Sequence, residues 1–137
     1  MRYLLDTHVV WAHATNPAAL SPAARRAIDT SLLEDLCILD VTLYELARHF
    51  AAGRISATNP LKAIEAISAT YHLIHTDAEI AWCSARMEWP KSHGNGVHLD
   101  PADRAIVAAG RIFGLTILTA DEEIHHIAKK QKIRVLW

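Results

Sequence analysis

A chain of 137 residues, 51% of them apolar, has the size of one domain and the composition of an ordinary globular core, which excludes a disordered or fibrous chain. Its formal charge of −1 excludes a strongly basic protein that declares a nucleic-acid partner through bulk charge, although a cluster of acids could conceal one. No apolar run is long enough to span a membrane, and Tyr3-Leu4-Leu5 meets Asp6 too soon for a signal peptide, so a soluble cytoplasmic protein is expected.

Arg2 to Leu5 is an apolar run of strand length that ends at Asp6. Val9, Val10 and Trp11 continue into a short helix or turn closed by Asn16-Pro17. Ser21-Pro22 opens a helix expected to run to about Leu33. Leu36 to Leu39 is a second strand, ending at Asp40. Thr42 and Glu45 have capping-box spacing, so a helix is expected to start there and to end at Gly53. Asn59-Pro60 begins another helix through about Thr70, with Leu61, Ile64 and Ile67 spaced by three. Tyr71 to His75 is a short strand, and Asp77 caps a helix running towards Trp89-Pro90. Lys91 to Val97, with two glycines, reads as an exposed loop.

Asp100-Pro101 then starts an apolar helix that ends at Gly114: Asp100 is the cap and Pro101 suits the first helical position. Leu115 to Thr119 is a fourth strand, Asp121 caps a short helix, and Ile133 to Trp137 is a fifth strand. Alternating strands and helices imply a mostly parallel sheet of about five strands, covered by helices on both faces, with residues 1–137 as a single domain. The carboxyl ends of parallel strands share one edge, where such sheets bind ligands. Cys37 and Cys83 match no zinc spacing and read as buried free thiols.

Asp6 ends the first strand, Asp121 follows the fourth, and Glu45 and Asp103 are expected in the first turns of their helices. All four then reach the same edge. Each also has a structural reading: Asp121 caps, Glu45 completes the box with Thr42, and Asp103 bonds back into the turn opened by Asp100. Asp6 is the hardest to explain that way, because Thr7 could supply a cap instead. Several close carboxylates cannot all stay ionised without compensation, and a helix N-terminus offsets only about half a charge. Magnesium or manganese, which take oxygen ligands, would resolve the conflict and suit phosphodiester hydrolysis. Asp6-Thr7-His8 lacks the second Asp of an aspartyl-phosphate phosphatase, and neither a phosphate-binding glycine loop nor a Gly-x-Ser-x-Gly elbow is present. His8, His93 and His98 fall near the acidic edge, where solvent or loop roles compete with ligation.

Leu4-Leu5-Asp6-Thr7-His8-Val9-Val10-Trp11, Thr42-Leu43-Tyr44-Glu45-Leu46-Ala47, His98-Leu99-Asp100-Pro101-Ala102-Asp103-Arg104 and Leu118-Thr119-Ala120-Asp121 resemble the four motifs of PIN-domain ribonucleases, most nearly the VapC-type toxins of type II toxin–antitoxin pairs. The resemblance covers essentially the whole chain. It implies a three-layer α/β/α fold and a Mg2+- or Mn2+-dependent endoribonuclease that hydrolyses RNA through a metal-activated water. It also implies a cognate antitoxin and a homodimer. Carried over by position, Asp6, Glu45, Asp103 and Asp121 form the acidic quartet, catalytic and metal-binding together, with Asp6 and Asp103 the principal ligands. Thr7 and Thr119 would orient these acids. Asp100 remains mainly a helix cap. His8 stands where many relatives carry Asn, which leaves open whether it holds metal or touches RNA. Arg48, Arg54, Lys62 and Arg104 are candidate phosphate contacts, against a solvated helix face for Arg48, Arg54 and Lys62. Trp11, Trp82 and Trp89 are candidates for an antitoxin groove, with core packing the expected use of each. A non-catalytic RNA- or antitoxin-binding module and a housekeeping RNA-processing nuclease remain the alternatives.

Overall fold

Five parallel strands lie in the order β3-β2-β1-β4-β5: β1 (Tyr3–Leu5), β2 (Leu36–Leu39), β3 (His72–Ile74), β4 (Thr116–Leu118) and β5 (Val135–Leu136). The computed structural model describes residues 2–89 and 100–137. Each expected strand forms, and each pairing is parallel, so the sheet is wholly rather than mostly parallel. Leu4 pairs with Cys37 on one side and Ile117 on the other, which puts β1 at the centre.

Side chains alternate across the strands and divide the core in two. Leu4, Cys37, Leu39 and Ile117 face a layer made by α5 (Ala78–Arg86), α6 (Pro101–Phe113) and α7 (Glu122–Lys130). Leu5, Leu36, Ile38 and Leu118 face α1 (Thr7–Thr15), α2 (Pro22–Asp29), α3 (Asp40–Ala51) and α4 (Pro60–Thr70). The result is the three-layer α/β/α arrangement.

Helix α6 runs from Pro101 to Phe113 as expected, with Asp100 accepting from the Ala102 amide and Gly114 closing it in the left-handed conformation. Seven of its residues are buried against the sheet. It sits close to β4 because Gly110 has no side chain: a Cβ there would lie 2.9 Å from Ile117 Cδ1.

Three elements depart from expectation. Helix α2 stops at Asp29 rather than near Leu33, where the Thr30 and Ser31 hydroxyls turn back onto the carbonyls of Arg26 and Ala27. Helix α3 starts at Asp40, directly out of β2, with Leu39 as its cap residue. Thr42 is therefore inside the helix and fully buried, its hydroxyl has no partner among the described residues, and the Thr42–Glu45 capping box does not form. Trp82 is 66% exposed, because Ile80 takes the core position on α5. Trp11 and Trp89 are half-buried. Cys37 is a buried free thiol as expected, whereas Cys83 is free but only half-buried. Among the described residues no helix is long and apolar enough to cross a membrane. The expected loop at Lys91 to Val97, with His93, and His98 beyond it, lies outside the described residues.

Candidate metal centre

The sheet reverses its winding at β1. Strands β2 and β3 extend it on one side, and β4 and β5 on the other. A crevice opens at such a reversal, beyond the carboxyl ends of the two strands concerned. Asp6 follows β1 and Thr119 follows β4, and the Thr119 hydroxyl donates to Asp6 Oδ2 at 2.6 Å across the crevice.

Asp6 is 5% exposed and carries a second duty: it caps α1, accepting from the Thr7 amide at Oδ1, 2.7 Å. The cap that the sequence also allowed to Thr7 is thus supplied by Asp6 itself. Strand β1 passes into α1 without a loop, so the last strand residue is followed at once by a cap. Burial opposes ionisation of Asp6, but His8, the Thr119 hydroxyl and the Thr7 amide outweigh it and hold the carboxyl below its ordinary range.

Glu45 lies in the second turn of α3, not the first, because that helix begins five residues earlier, at Asp40. It still reaches the crevice, where the Thr7 hydroxyl donates to Glu45 Oε2. Burial first, then the charges of Asp6 and Asp100, push its carboxyl up against the pull of Thr7 and Arg48. Asp121 caps α7 through Oδ1, which accepts from the Glu123 and Ile124 amides. Its own amide donates to the Thr119 hydroxyl, so Thr119 bridges Asp6 and Asp121.

Asp103 stands in the first turn of α6, where Asp100 already does the capping. No donor to the Asp103 carboxylate is found among the described residues. Burial, then the charges of Asp100, Asp6, Asp121 and Glu45, push its carboxyl up to about 8. This is the site's unresolved electrostatic conflict.

All four expected acids line one cleft of about 250 Å³, together with Asp100, Thr7, His8, Arg48, His49 and Arg54. Arg48 and Arg54 are thus brought to the acids, and Lys62 is not among the lining residues. Sequence reasoning missed His49. The signal was there: Glu45, Arg48 and His49 stand at helical positions i, i+3 and i+4, on one face. Arg104 is corrected, since its Nη1 donates to the carbonyls of Met87 and Ser84, at 2.9 and 3.4 Å, and its guanidinium lies over Trp89. It ties α6 to the end of α5 and is not among the residues that line the acidic cleft.

The donor set is all hard oxygen, which suits magnesium or manganese. The neighbouring carboxylates leave the charge of Asp103 uncompensated, and a divalent cation would supply what is missing. Among the described residues no three acidic, histidine or cysteine side chains stand close enough together to hold an ion between them. Magnesium, which keeps several waters, requires no cage.

A family model described as PIN domain matches residues 3–130. No curated protein matches the chain in sequence. Among solved structures, FitAcB from Neisseria gonorrhoeae is 21% identical, with 98% of this chain and 96% of that one covered and a TM-score of 0.65. VapBC-5 from Mycobacterium tuberculosis, a member of the VapBC family of toxin–antitoxin systems, is 20% identical over 98% and 97% of the two chains, with a TM-score of 0.60. VapC20 from the same organism, described as a sarcin–ricin-loop-cleaving toxin, is 16% identical over 90% and 93%, with a TM-score of 0.63. At these identities the solved structures speak for the fold.

Proposed function

Because the chain belongs to the PIN domain family, we propose that it is a divalent-metal-dependent endoribonuclease and the toxin of a type II toxin–antitoxin pair, with residues 1–137 as one domain. The observation that carries this reading is Asp103: a carboxyl pushed up to about 8 by burial and by four neighbouring acids, at the sheet edge where ligands bind. Neither a helix cap nor a solvated surface acid requires that arrangement.

Asp6, Glu45, Asp103 and Asp121 would hold Mg2+ or Mn2+. The cation supplies positive charge to the phosphodiester oxygens and makes water a competent nucleophile near neutral pH. The chain's own contribution is placement. Thr119 and the Thr7 amide keep Asp6 ionised and fixed. Thr7 bonds Glu45 from the same turn, so neighbouring residues anchor two acids from different elements. Asp103 must release its proton before it can serve as a ligand.

The cleft also has cations of its own. Arg48 and Arg54 line it beside the carboxylates, and their guanidinium groups would pair with the phosphates of a polyanion. RNA is the substrate class in this reading, which the likeness to a sarcin–ricin-loop-cleaving toxin supports. The antitoxin and a second copy of the chain are its protein partners, and the cytoplasm is its site of action.

The test is cleavage of a labelled structured RNA by the purified chain with magnesium. Wild type cleaves, EDTA stops it, and both Asp6→Asn and Asp103→Ala abolish cleavage while retaining a cooperative melt. Asn at position 6 preserves the cap acceptor, so loss of activity cannot be assigned to loss of α1. Equal cleavage by wild type and both variants overturns the proposal.

A further inference from the structure

Both ring nitrogens of His8 are committed. Nδ1 lies 3.1 Å from Asp6 Oδ2, and the Ala120 amide donates to Nε2 at 2.9 Å. An amide nitrogen only donates, so Nε2 is the bare nitrogen and the ring proton sits on Nδ1, directed at Asp6. The ring also packs edge-on against Trp137, with centroids 5.4 Å apart at 68°. In this arrangement His8 has no lone pair left for a cation and no free proton for RNA.

The bond to His8 changes what Asp6 can offer. Each carboxylate oxygen has about two acceptor sites. Oδ2 accepts from Thr119 and His8, which uses both. Among the described residues Oδ1 accepts only from the Thr7 amide, which leaves the one open acceptor site on Oδ1.

We propose that His8 is a positioning residue, which clips the β1–α1 junction to the β4–α7 connection and fixes the Asp6 carboxylate with Oδ1 as its only oxygen open to a cation. This rests on reading the cleft as a metal site. Ala120 holds the ring from behind, Trp137 holds its edge, and Nδ1–H holds the acid. Without the ring, Oδ2 regains an acceptor site and the carboxylate loses one of the donors that set its rotation. Partners of this kind around metal ligands typically contribute about 10- to 100-fold in affinity. The His8 side chain is 42% exposed, so its replacement removes no core packing.

Two readouts test the proposal without reference to catalysis. In the metal-free chain, 15N NMR of the His8 ring is expected to show the Nδ1–H tautomer. Calorimetric titration with Mn2+ is expected to show His8→Ala weakened about tenfold or more. His8→Asn, whose amide nitrogen sits where Nδ1 does, is expected to recover most of that loss. The Nε2–H tautomer, wild-type affinity in His8→Ala, or equal loss in Ala and Asn overturns the proposal. Failure of the wild type to bind Mn2+ overturns both this and the nuclease reading. Mn2+ binding that follows the expected pattern, without RNA cleavage, overturns the nuclease reading alone.

Discussion

Asp103→Asn should make the metal-free protein more stable, and the size of the gain should depend on pH. The Asp103 carboxyl stands at about 8 in the folded chain against 3.8 when free, because burial and four nearby acids disfavour its charge. A folded-state value above the unfolded one means that the native state binds the proton more tightly. The stability this confers is fully present below about pH 4 and is lost as pH rises through about 8. A shift of that size corresponds to about 6 kcal/mol as a ceiling. Asp103 is only half-buried, so solvent screening reduces the realised cost to about 1–2 kcal/mol. In EDTA at about pH 8.5, Asp103→Asn should therefore melt roughly 3–10 °C above wild type, since 1 kcal/mol moves a domain of this size by about 3–5 °C. Near pH 4 the two should converge, because the protonated acid and the amide are then alike in charge. Saturating Mn2+ should raise wild type and leave the variant nearly unmoved, reversing their order. Calorimetric melts across that pH range check each point. A variant less stable than wild type at pH 8.5 in EDTA would show that Asp103 is a satisfied cap, and the conflict assigned to the cleft would not exist.

Two further substitutions probe the scaffold and the cleft separately. Gly110→Val should cost about 1–3 kcal/mol in urea unfolding, because its side chain must push aside that of Ile117, which is fully buried. Arg104→Ala should lower stability by about 1–2 kcal/mol by leaving the Met87 carbonyl without its donor, with RNA affinity in EDTA unchanged. Arg48→Ala should do the reverse: stability within about 0.5 kcal/mol, and RNA binding weakened with a shallower dependence on salt. Paired melts and filter-binding titrations distinguish the two arginines. Similar behaviour of both would contradict the placement of Arg104.

The legible parts of the chain were those whose signals are local. Asp100, Pro101 and Gly114 bound α6, and each acts through residues within one turn of itself. Asp121 was legible as a cap for the same reason. The errors arose where a distant element decides. Asp40 opens α3, and its carboxylate accepts from the Thr76 amide and hydroxyl, 36 positions away, so the start of the helix is tied to the chain just after β3. With that contact invisible, the Thr42–Glu45 spacing was the best available start. Arg104 points to carbonyls at the end of α5, which no periodicity reveals. Trp82 followed an apolar helix pattern, yet one apolar face needs only some of its apolar residues, and Ile80 filled the place. The four acids reach one cleft all the same, because the position of an acid relative to the sheet edge tolerates a shift of one turn.

The Thr119–Asp6 bond joins residues 113 positions apart, across the central pair of strands. Contacts of such separation form late, since the chain must close a large loop before they can reward it. At ordinary synthesis rates of about 5–20 residues per second, Thr119 follows Asp6 from the ribosome by roughly 6–20 s. A nascent chain that has not yet added β4 carries Asp6, Glu45 and Asp103 as separate charges. One edge of β1 is bare and no hydroxyl yet fixes Asp6. The acidic cleft thus cannot be completed before β4 and Asp121 have been added, and a translation product that stops short of β4 has no place to assemble it.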